Sequence, residues 1–322
     1  MPTAVHPDLL VGTSSGDDAA VWRVDEHRAL VSTLDFFTPI VDDARVWGAI
    51  TAANSASDVY AMGGRPLFAL SIAAWPRDLL PLDLLGEALA GAAELAATGG
   101  WMVVGGHTVD APEPMLGQSV TGEVNPAQML TNTGGRAGDV LILTKALGTG
   151  VISTALKRSS TADATTGFLA ASAAAAISSM TKLNAGASHV AIDAGLRAAT
   201  DVTGFGLVGH LHKLAMASGV GATLERAHIP VLPGTSELIE QGFVPGGTAR
   251  NLQFVGDFLL VGETCPEATD LLVADPQTSG GLLLCVAPQL VHDVCAALRA
   301  RGELAAVIGE LTTDSPGNVR VR

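Results

Sequence analysis

DVTGFGLVGHL, residues 201–211, joins a glycine-containing loop to an apolar stretch with helical spacing. The pattern predicts a loop at 201–206 and a helix over 207–217. An aspartate and a threonine beside two glycines at the start of a helix suit a metal ion bound together with a phosphate group. An ordinary N-cap turn uses the same residue types, so both interpretations stay open.

Two shorter segments near the start of the chain also carry aspartates. GDDAA at 16–20 sets Asp17 and Asp18 side by side after a glycine, which suits a hard cation. A solvated acidic turn is the alternative. Asp35 lies in ALVSTLDFF at 29–37, which predicts a strand running into a loop. At such a position an aspartate either binds a ligand or forms a helix cap or turn.

A predicted helix over 46–62 carries Asn54 and Asp58 four residues apart, and therefore on one face. The rest of that face is small and apolar. An aspartate on a buried face needs a partner, because an unpaired buried charge is costly. The partner is either a metal ion or a hydrogen-bond donor of the protein.

Two further segments contain paired glycines. GGHTVD at 105–110 follows a predicted short strand at 101–104 and predicts a loop whose glycines let backbone N–H groups approach phosphate oxygens. His107 is either a phosphate donor or a packed loop histidine. DPQTSGG at 275–281 is either an anion-binding nest or a tight connection. Neither a Walker A sequence nor the kinase glycine loop with its strand lysine occurs. Because the aspartate and glycine segments are spread over both halves of the chain, together they predict one site at an interface.

Composition narrows the class of protein. The chain has 322 residues, enough for two domains, and 48% of them are apolar, so a sizeable core is expected. The net charge of −14 disfavours nucleic acid and anionic membranes as partners. Metal ions reconcile this charge with polyphosphate binding, because carboxylates hold Mg²⁺ and Mg²⁺ holds phosphate.

The cysteines and the hydropathy pattern bear on the compartment. Cys265, Cys285 and Cys295 match no zinc spacing, form an odd set and lie in apolar runs, so we expect three buried packing residues. The sequence shows no basic stretch followed by an apolar one at its start, and no apolar run of about 20 residues. These observations predict a cytoplasmic protein.

The order of predicted elements favours an α+β fold in two halves. Residues 125–138 form the candidate linker, and the second half opens with a strand at 139–144. Strands and helices mix irregularly on both sides of that linker, which does not suit a single doubly wound sheet. The remaining predicted strands are at 67–74, 115–124, 251–255, 282–286, 305–311 and 318–321, and the remaining predicted helices are at 82–97, 149–157, 165–182, 184–197, 265–273 and 288–300.

From Pro7 onward the chain resembles the selenophosphate synthetase (selenide, water dikinase) family. The resemblance lies in consecutive segments: SGDDAAV, STLDFFTPIVDD, AANSASDVYAMGG, GGHTVDAPEP, DVTGFGLVGHL, GFVPGGTARN and DPQTSGGLLL. DVTGFGLVGHL by itself is shared with the wider aminoimidazole-ribonucleotide synthetase-like superfamily. GGHTVDAPEP together with DPQTSGG narrows the resemblance to the selenium enzyme.

The resemblance implies a fold and a reaction. Residues 1–126 would form an N-terminal ATP-binding half whose strands join those of a partner in a β-barrel at a homodimer interface, and residues 137–322 a C-terminal α+β half. The expected reaction converts ATP, selenide and water to selenophosphate, AMP and phosphate. Another ATP-dependent enzyme of the superfamily, or a non-catalytic nucleotide-binding dimer, is the alternative.

The resemblance also assigns residues. Asp18, Asp58 and Asp201 match the Mg²⁺ ligands. Lys145 and Arg250 are spare cations that either face phosphates or lie at the surface. The positions that match nucleotide contacts are Ser15, Gly16, Asp17, Asp35, Asp58, Gly106, His107 and Thr108.

One expected feature is missing from the printed sequence. The family carries an N-terminal segment with a reactive Cys or selenocysteine and a nearby Lys, before the position that matches Pro7. Here the first Cys is Cys265 and the first Lys is Lys145, so no catalytic nucleophile or lysine is assigned. We expect an in-frame TGA codon for selenocysteine, flanked by Gly and Lys codons, upstream of Met1; deliberate trimming is the alternative.

Overall fold

Two β-sheets, one from each half of the chain, organise the computed structural model, which describes residues 5–14, 16–159, 167–266 and 268–322. The first sheet has the strand order β1-β2-β3-β6-β4-β5, with β4 and β5 parallel and the other neighbours antiparallel. Its strands are β1 (Leu9–Val11), β2 (Ala20–Arg23), β3 (Ala29–Phe37), β4 (Arg65–Trp75), β5 (Met102–Asp110) and β6 (Met115–Val124).

Two helices cover one face of this sheet, α1 (Ala44–Ala61) and α2 (Leu82–Gly99). The Asp43 carboxylate caps α1 by accepting from the Val46 N–H at 2.9 Å. From Trp47 onward nearly every residue of α1 is buried. The reason is that α1 lies between the first sheet and elements of the second half, so it has almost no solvent-facing side.

The second sheet has the order β10-β13-β9-β12-β7-β11-β8, and its strand β8 ends at Asp201. Although β8 is the edge strand, all four of its residues are buried, because α1 covers it. The strands are β7 (Val140–Leu143), β8 (Ala198–Asp201), β9 (Gly221–Leu224), β10 (Leu259–Val261), β11 (Leu282–Val286), β12 (Ala306–Thr312) and β13 (Val319–Val321).

Helices surround the second sheet. The largest buried apolar cluster joins Trp47 and Ile50 of α1 to Leu141, Leu143 and other residues of the second half. The helices are α3 (Thr149–Arg158), α4 (Gly167–Thr181), α5 (Ala185–Asp193), α6 (Gly206–Ser218), α7 (Thr235–Glu240), α8 (Gly246–Val255), α9 (Thr269–Val273) and α10 (Val291–Ala300). Among the described residues, no helix combines the length and apolar character needed to cross a bilayer.

The predicted α+β class is confirmed, and the strands predicted at 29–37, 115–124 and 282–286 are found at those positions. The strand predicted near 251–255 is wrong, because this segment is the end of α8, which begins after Pro245. The helix predicted to reach residue 197 ends at Asp193, close to Gly195 with a left-handed φ of 68°. The short strands β1, β2, β8, β9 and β10 were not predicted.

The predicted loop at Gly105 and Gly106 is also wrong, because both residues lie inside β5 and pair with Leu70 and Ser71 of β4. A Cβ at Gly106 would lie 2.0 Å from the Ser71 carbonyl oxygen, so glycine permits close strand pairing there. Among the described strands of one chain the first sheet stays open between β1 and β5. A barrel would need a second chain and stays a prediction.

The candidate linker at 125–138 contains only turns and irregular backbone. It is nevertheless held in place, because Leu130 and Asn132 are buried. The division into domains at 1–126 and 137–322 stays a prediction.

The crossing of α1 and α2 generates a stability prediction, since a Cβ at Gly48 would lie 1.8 Å from the Ala88 carbonyl oxygen. We expect Gly48→Ala to lower the free energy of unfolding by about 1–3 kcal/mol, because the helix backbones must separate. Gly86→Ala on the exposed side of α2 is the control, since no atom lies within 4 Å of its Cβ position. It should stabilise by about 0.5–1 kcal/mol through helix propensity. Urea unfolding measures both, and a Gly48→Ala protein as stable as the unsubstituted one would contradict the packing argument.

Candidate active site

Four aspartates from both halves of the chain converge at the interface between the two sheets. Asp18 precedes β2, Asp35 lies near the end of β3, Asp58 lies on α1, and Asp201 ends β8. Their charges interact, since Asp201 raises the pKa of each of the other three. The structure therefore brings together the three predicted metal ligands and one predicted nucleotide contact.

Burial is the main cause of the raised pKa values in this cluster. Burial raises the pKa of Asp35 to about 7, and the charge of Asp201 adds to the effect. Burial raises the pKa of Asp201 to about 6, while the Ser57 hydroxyl and the Lys145 ammonium act in the opposite direction. The pKa values of Asp18 and Asp58 are raised well above the usual range, first by burial and then by Asp201.

Hydrogen bonds satisfy some of these carboxylate oxygens but not those of Asp201. Thr33 Oγ1 donates a short hydrogen bond to Asp58, and Asn54 Nδ2 donates to Asp35 at 2.9 Å. Asp201 is 1% exposed, yet neither of its oxygens accepts a well-formed hydrogen bond from the described residues. Buried carboxylate oxygens that accept no well-formed hydrogen bond, beside other carboxylates, fit a divalent cation with a preference for oxygen ligands.

Several asparagines hold the aspartate segments in place. The Asn132 N–H donates to Asp17 Oδ1 at 2.5 Å, and its Nδ2 donates to the Gly16 carbonyl at 2.9 Å. Asn54 reaches across the halves, because its Oδ1 accepts from the Ser279 N–H at 2.8 Å while its Nδ2 holds Asp35. The segment at 275–281, predicted to be an anion nest or a tight connection, thus braces Asp35.

Lys145 is not a surface residue, and its donors are already used. It is 5% exposed, and its Nζ donates to the Lys182 carbonyl at 2.6 Å and to the Ser279 carbonyl at 2.8 Å. Burial lowers its pKa to about 7. Arg250 is exposed on α8.

Lys213 on α6 is a cation near the cluster that sequence reasoning did not single out. Its Nζ lies 3.8 Å from the centre of the Phe205 ring. Burial lowers the pKa of Lys213, whereas the charges of Asp18 and Asp201 favour its charged form.

The other predicted nucleotide contacts are placed differently. Ser15 lies outside the described residues. Gly106, His107 and Thr108 lie on β5, which is separated from β3 by β4 and β6. Three strand spacings amount to about 14 Å, so within one chain these residues do not join the aspartate cluster.

Two cavities flank the aspartates. One of about 350 Å³ is lined by residues that include Asp35, Asn54, Thr203 and Thr278. The other, of about 550 Å³, is lined by residues that include Gly16 and Lys213. The first cavity gives room for a ligand directly beside the Asp35 carboxylate, and the second gives room beside the Gly16 segment and Lys213.

The cysteine prediction is confirmed for Cys285 and Cys295, which are buried, and is wrong for Cys265, which is partly exposed at the end of a short turn.

Comparisons with known proteins identify the family and the fold of the chain. Residues 16–124 match the family model described as AIR synthase related protein, N-terminal domain, and residues 136–322 match its C-terminal domain. In fold, the chain resembles thiamine-monophosphate kinase from Stenotrophomonas maltophilia K279a, with a TM-score of 0.70 and 20% identity over 98% of this chain and 91% of the other. It also resembles hydrogenase maturation protein HypE in complex with ATP, with a TM-score of 0.68 and 18% identity over 98% and 86% of the two chains. These matches define the class as a two-domain AIR synthase related protein.

Relatives with higher sequence identity place the chain in one family within this class. A selenide, water dikinase of Burkholderia ambifaria (strain MC40-6) is 43% identical over 99% of this chain and 88% of the relative. One of Myxococcus xanthus (strain DK1622) is 44% identical over 97% and 87%. The chain belongs to the selenide, water dikinase family.

The raised pKa values predict how the stability of the metal-free protein depends on pH. The folded-state pKa values of Asp35 and Asp201, about 7 and about 6, lie above the ordinary value of 3.8. Between these limits the folded protein binds more protons than the unfolded chain, so its stability should fall as the pH rises from about 4 to about 7. Each pKa unit corresponds to about 1.4 kcal/mol. Thermal melts in chelator measure this slope.

Asp201→Asn should flatten this slope, because it removes one buried charge, and should remove any stabilisation by added Mg²⁺, because it removes one predicted metal ligand. Asp293→Asn, at an exposed position of α10, is the matched control and should leave both unchanged. Stability that rises with pH over this range in the metal-free protein would contradict the proposed cause.

Proposed function

We propose that this chain synthesises selenophosphate, converting ATP, selenide and water to selenophosphate, AMP and phosphate. The observation that carries the proposal is the cluster of four aspartates drawn from both halves of the chain, with Asp58 and Asp201 buried and Asp18 and Asp35 partly buried, in a member of the selenide, water dikinase family. Phosphoryl transfer depends mainly on positioning and on neutralising phosphate charge, and this arrangement suits both.

In this proposal Asp18, Asp58 and Asp201 hold Mg²⁺. The unsatisfied oxygens of Asp201 and the raised pKa values of all three support the assignment. A Mg²⁺ ion held by these three carboxylates would supply positive charge that offsets the charge of the phosphate groups. Because Asp18 and Asp58 belong to one half and Asp201 to the other, the site is complete only when the halves are packed together.

The residues around the ligands orient the nucleotide. Each cavity is lined by one of these residues, the first by Asp35 and the second by Gly16. Asp17 accepts a hydrogen bond from Asn132, and Asp35 accepts one from Asn54. Among the cations near the cluster, Lys213 is placed to offset phosphate charge. In this scheme the carboxylates and amides of the protein hold the phosphates of ATP next to the selenide acceptor, and the burial of the site excludes water.

We further propose that two copies of the chain pair through the face of the first sheet opposite its helices. Large apolar side chains are exposed on its strands, including Leu34 at 50%, Phe36 at 54%, Met102 at 67% and Val104 at 55%. A monomer rarely exposes such a face to water. Pairing would bring Gly106, His107 and Thr108 of the edge strand towards the partner, which would reconcile their expected nucleotide contacts with their distance from the cluster in one chain.

The proposed compartment is the cytoplasm. Three unpaired cysteines, two of them buried, suit a reducing environment.

The reaction is tested by measuring selenide-dependent AMP release from ATP by the purified protein. We expect Asp18→Asn and Asp201→Asn to lower kcat by about 100-fold or more, a larger loss than the ~10–100-fold typical of residues that only orient a ligand. Asp293→Asn is the control and should retain full turnover. ATP consumption that is independent of selenide, or that yields ADP as the final nucleotide, would rule out this reaction and favour another enzyme of the superfamily.

The dimer is tested by sedimentation. Val104→Asp places a charge in the apolar face, so we expect the protein to shift from dimer towards monomer while the far-ultraviolet circular dichroism is retained. Leu304→Asp, a partly exposed leucine of the second half, is the control and should stay dimeric. If the unsubstituted protein is a monomer at micromolar concentration, the proposed pairing is wrong.

A further inference from the structure

We infer that His210 and Thr200 are positioning residues that orient the Asp18 carboxylate through two consecutive hydrogen bonds, leaving one carboxylate oxygen free for the cation. The inference rests on the metal site proposed above and assigns a role to two residues outside the expected ligand set.

The first hydrogen bond joins the two halves of the chain. Thr200, in β8, is 1% exposed, and its Oγ1 donates to Asp18 Oδ1 at 2.9 Å. Asp18 reaches the cluster from an irregular segment before β2, without the regular strand or helix that holds Asp35, Asp58 or Asp201. A hydroxyl fixed on a buried strand therefore supplies an orientation that the local backbone of Asp18 does not.

The tautomer of His210 follows from its contacts. The Thr203 N–H lies 3.2 Å from His210 Nε2, and a backbone amide can only donate, so Nε2 is the accepting nitrogen. A nitrogen that accepts this hydrogen bond carries no proton, so the ring is neutral with its single proton on Nδ1.

The Nδ1–H group faces Thr200 Oγ1 at 3.4 Å, a long contact that orients more than it stabilises. Because the hydroxyl accepts from the ring, its own proton must point elsewhere. Two acceptors are available, the Asp18 carboxylate at 2.9 Å and the Asp201 backbone carbonyl at 3.2 Å. The shorter contact to the ionisable oxygen is the stronger of the two.

The same geometry argues against His210 as a metal ligand. A ring nitrogen of His210 and carboxylate oxygens of Asp18 and Asp201 lie within 4.8 Å of one another, which resembles a three-ligand site. Both ring nitrogens are nevertheless engaged, one by the Thr203 amide and one by the Thr200 hydroxyl. The ring therefore connects α6 and the loop after Asp201 to the carboxylate from the first half.

The test measures Mn²⁺ binding to the full chain without nucleotide, by the loss of the electron paramagnetic resonance signal of free Mn²⁺. Thr200→Val removes the hydroxyl at nearly constant volume, and Thr200→Ser keeps it. We expect Thr200→Val to weaken Mn²⁺ binding by about 10-fold, within the ~10–100-fold range for groups that orient metal ligands, and Thr200→Ser to bind like the unsubstituted protein.

A second pair separates the two ring nitrogens. His210→Asn places an amide near the position of Nδ1 and can still donate to Thr200, whereas His210→Gln places it near Nε2 and can serve only the Thr203 amide. We expect His210→Gln to weaken Mn²⁺ binding more than His210→Asn. In a Thr200→Val background His210→Gln should cause no further loss, because the ring acts through the hydroxyl.

The outcomes separate this inference from the metal site itself. If the unsubstituted protein binds no Mn²⁺, the proposed metal site fails and the inference falls with it. If it binds Mn²⁺ and Thr200→Val binds equally well, only the positioning role is overturned. Equal losses in the two His210 variants, or additive losses in the double variant, would also overturn the role of the ring. If Thr200→Val does not fold, as judged by its thermal melt, the comparison of the two His210 variants decides.

Discussion

The mutual repulsion of four carboxylates, two of them buried and two partly buried, is the constraint on which the rest of this structure depends. Asp18, Asp35, Asp58 and Asp201 are brought together from four separate segments, and burial opposes their ionisation. Removing charges from water is expensive, so such a cluster is retained only where something else compensates for it. Hydrophobic packing of α1 between the two sheets stabilises the folded chain against this cost, and a bound cation would offset the remaining repulsion between the carboxylates.

The polar residues around the cluster are best understood as a scaffold that crosses the interface between the halves. Asn54 on α1 holds Asp35 and the Ser279 amide, and Asn184 Nδ2 holds the Ser57 hydroxyl and the Gly280 carbonyl at 2.9 Å each. Thr200 performs the same task for Asp18. Because each of these bonds joins segments far apart in the chain, the geometry of the carboxylates depends on correct packing of both halves.

Much of the fold, and the aspartates that meet at the candidate site, was predictable from sequence. The helices α1 and α2 and the strands β3 and β6 were predicted with ends close to those observed, α1 from the Gly63, Gly64 and Pro66 that follow it and β6 from its alternating pattern. Aspartates beside small residues were found because their chemistry is local. Two predictions failed for different reasons. Gly106 is in a strand because β4, a segment distant in the chain, lies beside it. The end of α8 resembled a strand because it is short and apolar. Thr200 and Asn132 gave no local signal, since an ordinary threonine in a strand and an asparagine in a turn acquire a role only through Asp18 and Asp17.

The sequence by itself determined the family of the chain and the candidate aspartates, each beside small residues, that the structure brings together. It did so because these features depend on side-chain chemistry and on spacings of a few residues. Only the tertiary structure decided that Lys145 is buried with its donors occupied, that His107 lies on a sheet edge away from the cluster, and that His210 faces Thr200. Those facts are set by contacts between residues up to 134 positions apart in the chain, as for Lys145 and Ser279, and pairing at such distances is fixed by the packing of the two halves rather than by any local pattern.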